Sequence, residues 1–208
     1  MALHVVDHPL LAETLARLRD RTTSCDDFRI LAHRASLLLA AEAARDLPTV
    51  GSSVESPLGT AAVLRLSARV VAVPVLRAGV GMLGAFLDLV PSALVGYFGL
   101  ERDETTAVAR RYYEKVPTEL SDAYVFLLDP MLATGGSAAM ALDGLRERRA
   151  RGVRLLSIVA APEGVARVAE VAPDAEIYTA TLDRELDEHK YILPGVGDFG
   201  DRLYGTGQ

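Results

Sequence analysis

Apolar residues recur along this chain in two periods. In "HPLLAETLARLRD", Leu11, Leu15 and Leu18 fall on one helical face. "SCDD" then predicts a second helix start, with Ser24 as N-cap and Asp26 and Asp27 at the positive end of the helix dipole. That helix runs through "FRILAHRASLLLAAEAARDL" and stops before Pro48. Residues 1–48 are therefore expected to form an N-terminal helical hairpin, a lid or an oligomer contact rather than a separate domain. From Val70 the period shortens. "VVAVPV", "ALVGYFGL", "YVFLL", "RLLSIVAA" and "EIYTATL" predict five buried strands. Helical stretches lie between them: "MLGAFLDLV", a run from about Ser137 to Ala150, and "EGVARVAEVA". This alternation predicts an α/β domain over residues 1–208, with a mostly parallel twisted sheet flanked by helices. Ligands bind where the carboxyl ends of such strands open into loops, here after Val75, Leu100, Leu128 and Leu182. The polar stretch at 102–118, with alternation around Tyr112 and Tyr113, predicts a projecting β-hairpin arm.

Composition narrows the function classes. Of 208 residues, 50% are hydrophobic and 24% charged, a globular balance. The net charge of −6 opposes sequence-independent nucleic-acid binding, which runs on Lys and Arg contacts to phosphates. Cys25 is the sole cysteine, so no disulfide forms within the chain, in keeping with a reducing compartment. The N-terminal stretch has no basic region leading into a long apolar run, and no segment reaches a membrane-spanning length. No membrane partner and a cytoplasmic location are expected. His4, His8, His33 and His189 show no metal-ligand spacing.

The chemistry concentrates in "YVFLLDPMLATGGS". A buried strand delivers Asp129 to the edge of the sheet, and Thr134, Gly135, Gly136 and Ser137 then open a helix. Unpaired N–H groups and the dipole make a helix N-terminus an anion site, and glycines let the backbone approach a phosphate. The P-loop lysine is absent, and so is the dinucleotide G-x-G-x-x-G. A carboxylate beside such a nest suits the vicinal hydroxyls of a ribose whose 5-phosphate occupies the nest. On spacing alone, an ordinary strand–turn–helix with a capping Asp129 remains open.

"LLDPMLATGGS" resembles the phosphoribosyl diphosphate (PRPP) signature of the type I phosphoribosyltransferase family, and the proline after the acid is similar to its uracil branch. "VPVLRAGVGM", "RDET", "AAPEG" and "PGVGDFGDRLYGT" resemble further segments of that branch in the same order, from about His8 to Gly205. The resemblance implies the type I phosphoribosyltransferase fold, with a base-binding hood at 183–205. It implies transfer of ribose 5-phosphate from PRPP to N1 of uracil, giving UMP and diphosphate, in pyrimidine salvage. Magnesium would accompany PRPP, some relatives answer to GTP as activator, and a homodimer or higher homo-oligomer is expected.

Site residues carry over by position. PRPP contacts fall on Arg77, Ala78, Gly79, Arg102, Asp129, Pro130, Met131, Leu132, Ala133, Thr134, Gly135, Gly136, Ser137 and Asp198. Uracil contacts fall on Met131, Tyr191, Ile192, Gly197, Asp198 and Phe199. The catalytic set is Asp129, Arg77 and Asp198. The physics of the arginines agrees, since a guanidinium offers forked donors to a diphosphate that gathers charge as it leaves. No protein cage for the metal is visible, so magnesium would be held mainly by substrate and water. Three positions depart from the commoner pattern: Phe199 for alanine, Lys190 for glycine and Ala41 for tyrosine. A transferase for another base, or a ligand-sensing regulator on the same fold, are the competing readings. The C-terminal loop opposes the first. Retention of Arg77, Arg102 and Asp129 opposes the second.

Overall fold

The computed structural model describes residues 1–102 and 109–207, with the side chains at 101, 102 and 109 excepted. The first element is a strand, β1 (Ala2–Val5), ahead of the two expected helices α1 (Pro9–Arg19) and α2 (Cys25–Ala43). Ser24 caps α2 by accepting from the Asp27 N–H at 3.3 Å. A hairpin, β2 (Thr49–Ser56) and β3 (Gly59–Leu66), follows and pairs only with itself among the described residues. Next come β4 (Arg69–Leu76), α3 (Val80–Leu89), β5 (Leu94–Val95), β6 (Tyr97–Arg102) and β7 (Ala109–Lys115). The centre of the chain supplies β8 (Ala123–Leu128), β9 (Met131–Leu132), α4 (Gly136–Glu147), β10 (Arg154–Ala160) and α5 (Pro162–Val171). The last elements are β11 (Glu176–Leu182), β12 (Glu185–Leu186), β13 (Ile192–Leu193) and α6 (Phe199–Tyr204).

The main sheet runs β1-β11-β10-β8-β4-β6-β7. Every pairing along it is parallel except β6 with β7. Both faces are covered, which is why β4, β8 and β10 read as near-continuous apolar runs. On one face α1, α2 and α3 bury Leu18, Phe28, Leu39 and Phe86 against Phe126 and Ile158. On the other, α4 and α5 bury Leu142, Leu145 and Val168 against Val73, Val125 and Leu155. At roughly 1.5–3 kcal/mol per buried large apolar side chain, these two layers are the main source of stability.

Two boundaries differ from the pattern reading. The polar stretch at 102–118 contributes β7, which pairs with β6 at the edge of the main sheet, and residues 103–108 lie outside the described residues. The strands that stand apart are β2 and β3, whose residues are almost all exposed. The helical hairpin packs on the sheet and contributes a large share of the core. Among the described residues no helix is long and apolar enough to cross a membrane.

Candidate active site

Parallel strands β4, β8 and β11 end at the same edge of the sheet, and each hands over to a loop with polar groups. β8 ends at Leu128, and the loop after it is stitched to β10. The Asp129 N–H donates to the Leu156 carbonyl at 3.1 Å, and the Ser157 hydroxyl donates to the Asp129 carbonyl at 2.6 Å. The Pro130 carbonyl accepts from Ile158 and Val159, and the Leu132 carbonyl from Ala161. The backbone of this loop is therefore placed by its neighbour strand, and the Asp129 side chain is left for other work. Surrounding protein pushes its carboxyl up to about 7, only partly offset by the Met131 N–H. It keeps some exposure toward the cleft.

The same loop encloses a cavity of about 50 Å³ lined by Asp129 and by residues 131–138. That is the scale of a small oxyanion. Gly135 sits in the left-handed region at φ 75°, and a Cβ there would come within 2.9 Å of the Gly164 carbonyl. A glycine is required on both counts. α4 starts at Gly136 with no cap from Gly135; the Thr134 hydroxyl accepts from the Gly136 N–H at 3.4 Å, and the positive end of the helix dipole lies at the cavity.

β4 ends at Leu76, and a cis peptide joins it to Arg77. The Arg77 side chain is 64% exposed and reaches Asp201 of α6 at 3.5 Å. The Tyr204 hydroxyl of the same helix donates to the Arg77 carbonyl at 3.0 Å. Close by, Gly79 tolerates no side chain, because a Cβ would lie 2.2 Å from the Leu128 carbonyl. The loops after β4 and β8 are thus in contact. The side chain of Arg102 lies outside the described residues.

The third loop follows β11. β12 and β13 pair antiparallel, and Asp187 closes the turn between them by accepting from the N–H groups of His189 and Tyr191. Lys190 lies in this turn at φ 67°, where glycine has no steric cost. A cis Leu193-Pro194 bond leads into Gly195, Val196 and Gly197, and Asp198 caps α6 by accepting from Asp201 N–H at 2.8 Å. The Phe199 ring is buried edge-on against Phe28, with centroids 5.1 Å apart, and Ile192 is buried as well. These two positions can present backbone, not side chains, to a ligand, whereas Tyr191 is 47% exposed.

Of the expected residues 129–137, all but the buried Pro130 line one cavity, and Arg77 joins the Asp198–Asp201 turn. Asp201 and Tyr204, which grip Arg77, were not singled out from the sequence, although both lie in the quoted "PGVGDFGDRLYGT". Nor were Arg19, Asp183 and Arg202, whose contacts join distant parts of the chain. Among the described residues no group of three or more His, Cys, Asp or Glu could hold a metal ion.

A parallel sheet with an acid-tipped central strand, a glycine nest and a C-terminal hood defines a type I phosphoribosyltransferase. A solved hypoxanthine-guanine phosphoribosyltransferase from Bacillus anthracis shares the fold at TM-score 0.51 and 10% identity, over 76% of this chain and 80% of that one. A nearer solved structure, the AQ2163 protein of Aquifex aeolicus, matches at TM-score 0.93 and 35% identity over 97% of each chain. Residues 5–206 match the family description "Uracil phosphoribosyltransferase", and the Thermus thermophilus protein of that name is 49% identical over 99% of this chain and 100% of its own. The chain belongs to the uracil phosphoribosyltransferase family.

Proposed function

We propose that the protein is a pentosyltransferase of pyrimidine salvage, moving ribose 5-phosphate from PRPP to N1 of uracil with release of diphosphate. The observation that carries this reading is the pairing of Asp129 with the small glycine-lined cavity next to it. The cavity takes the 5-phosphate through backbone N–H groups and hydroxyls of residues 133–137. Asp129, ionised, accepts from the two ribose hydroxyls. Arg77 and Arg102 hold the diphosphate, with Ala78 and Gly79 offering backbone groups. As the C1–O bond breaks and the N1–C1 bond forms, negative charge moves onto the departing diphosphate, and forked donors already in place lower that barrier.

Uracil presents alternating acceptors and a donor along one edge. Backbone groups at Ile192, Gly197 and Phe199 read this edge, with Tyr191 and Met131 against the ring. A backbone set built for a donor at N3 rejects cytosine, because buried groups are left unpaired. Asp198 stands between base and ribose, and its carboxylate takes the proton lost from N1.

Magnesium would be held mostly by PRPP oxygens and water, since no group of three or more His, Cys, Asp or Glu stands together among the described residues. When bound, the metal neutralises diphosphate charge. A cytoplasmic location, a homodimer or larger homo-oligomer, and activation by GTP belong to this reading on family resemblance.

The test is direct. The protein is incubated with uracil, PRPP and magnesium, and UMP and diphosphate are measured. UMP formation with uracil, and none with cytosine, orotate or hypoxanthine, supports the assignment. PRPP binding without any product would overturn it in favour of a ligand-sensing regulator.

A further inference from the structure

The loop at 194–197 has two glycines at positive φ and makes no strand pairing, so it has little stiffness of its own. Its position is set from outside. Arg19, the last residue of α1, donates from both guanidinium nitrogens to the two oxygens of Asp183 at 2.8 and 2.6 Å. The same guanidinium donates to the Gly195 carbonyl at 2.9 Å, and the Gly195 N–H donates to Asp183 at 2.8 Å. Both backbone groups of Gly195 are therefore held by one ion pair. The Thr181 hydroxyl adds a further bond to Asp183 at 3.2 Å. The Asp183 side chain is 3% exposed and the Arg19 side chain 25%.

A second arginine holds the next residue. Arg202 donates to the Val196 carbonyl at 2.8 Å. It also donates to the Leu18 carbonyl at 2.5 Å and the Asp20 carbonyl at 2.6 Å, at the C-terminal end of α1. Those carbonyls lack partners within the helix and carry the negative end of its dipole, so a cation there is doubly favoured. Its guanidinium lies 4.5 Å over the Phe28 ring, and Phe28 packs on Phe199. The end of α1 is one anchor for three parts of the later chain: Asp183, the 195–196 backbone and α6.

We propose that Arg19, Asp183 and Arg202 are positioning residues for base recognition. They form a two-arginine clasp that locks the 195–196 backbone so that its neighbours can read the edge of the base. The proposal rests on the uracil reading of this loop. Asp183 has its oxygens occupied by Arg19, Gly195 and Thr181, so it acts through the loop and not on substrate. Recognition by main-chain groups tolerates little misplacement, and an error near 1 Å costs on the order of a hundredfold. A lysine supplies charge but no fork, so it cannot hold Asp183 and Gly195 together.

The experiment compares the wild-type enzyme with Arg19→Lys and Arg202→Lys. Uracil KM and kcat are measured at saturating PRPP and magnesium, and PRPP affinity is measured separately by calorimetry without uracil. The expected result is a uracil KM raised roughly tenfold or more in each variant, with PRPP affinity unchanged. The intact PRPP affinity also reports that the variant is folded. If one variant fails to fold, the other decides. An unchanged uracil KM overturns the clasp. So does a loss of PRPP affinity that parallels the rise in uracil KM, which marks general structural support. No UMP from the wild type overturns the base-site reading beneath it.

Discussion

Asp129 and Asp183 each follow a strand of the same parallel sheet, β8 and β11, with β10 between them. Asp183 is matched on every side: Arg19 in a fork, Gly195 N–H and Thr181 hydroxyl. Asp129 receives a single backbone N–H, and burial dominates its titration. Burial alone would raise Asp183 as well, but its bonds to Arg19, Gly195 and Thr181 reverse the sign and hold it below the ordinary value of 3.8. An acid matched by protein groups is doing structural work. An acid kept nearly unmatched at a cavity mouth is a candidate for a ligand, the role proposed here for Asp129, and that contrast separates the two acids where sequence position does not.

The contrast breaks most sharply at Asp129. Asp129→Asn keeps the shape and removes the charge that two ribose hydroxyls would meet. Two charge-assisted bonds account for a loss of roughly hundredfold or more in kcat/KM for PRPP, measured by initial rates, with uracil KM little changed. A matching loss in uracil KM would mean the two regions are not separable. Next comes the nest. Gly135→Ala forces a Cβ at φ 75° into the Gly164 carbonyl, and should lower stability by about 2 kcal/mol with a fall in PRPP affinity, read by denaturant melts and calorimetry.

The two acids also give opposite pH slopes. Asp129 titrates higher when folded, so its contribution is full below 3.8 and is lost as pH rises toward about 7. Asp183 titrates lower when folded, so its contribution is present above 3.8 and is lost as pH falls further. Melting curves of Asp129→Asn should therefore lie above wild type at pH 8 and converge with it near pH 4. Asp183→Asn should lie below wild type at neutral pH, with the gap closing in stronger acid. Parallel curves for the two variants would erase the distinction. The smallest effect is at Lys190. Relieving its positive φ and adding glycine's backbone entropy nearly offset, so Lys190→Gly should gain no more than about 1 kcal/mol, with uracil KM unchanged.

Much of this was legible in the sequence because it is local. β8, Asp129, the glycines and α4 are contiguous, and a strand buried on both faces announces itself as an unbroken apolar run. β2 and β3 were not legible, since "TVGSSVES" and "GTAAVLRL" bury almost nothing and alternate weakly. β1 is four residues with half-exposed sides. The clasp was hidden for a different reason. Arg19 reads as a solvated residue at a helix end, and only the fold brings it to Asp183. Phe199 carries over as a base contact, and only the fold shows that its ring packs in the core against Phe28, so that its backbone is what a ligand could meet.

The pairing of β1 with β11, and of Arg19 with Asp183, has a consequence for biosynthesis. Chain grows from the amino end, so α1 leaves the ribosome long before the residues that complete its contacts, 164 positions later. Such distant partners make closure slow and keep apolar surface uncovered meanwhile. Nascent chains halted before Asp183 should expose α1 to protease, and chains released beyond Arg202 should protect it. A segment translated before its partners is among the last to be secured, and quality control by a cell's chaperones would act on that interval.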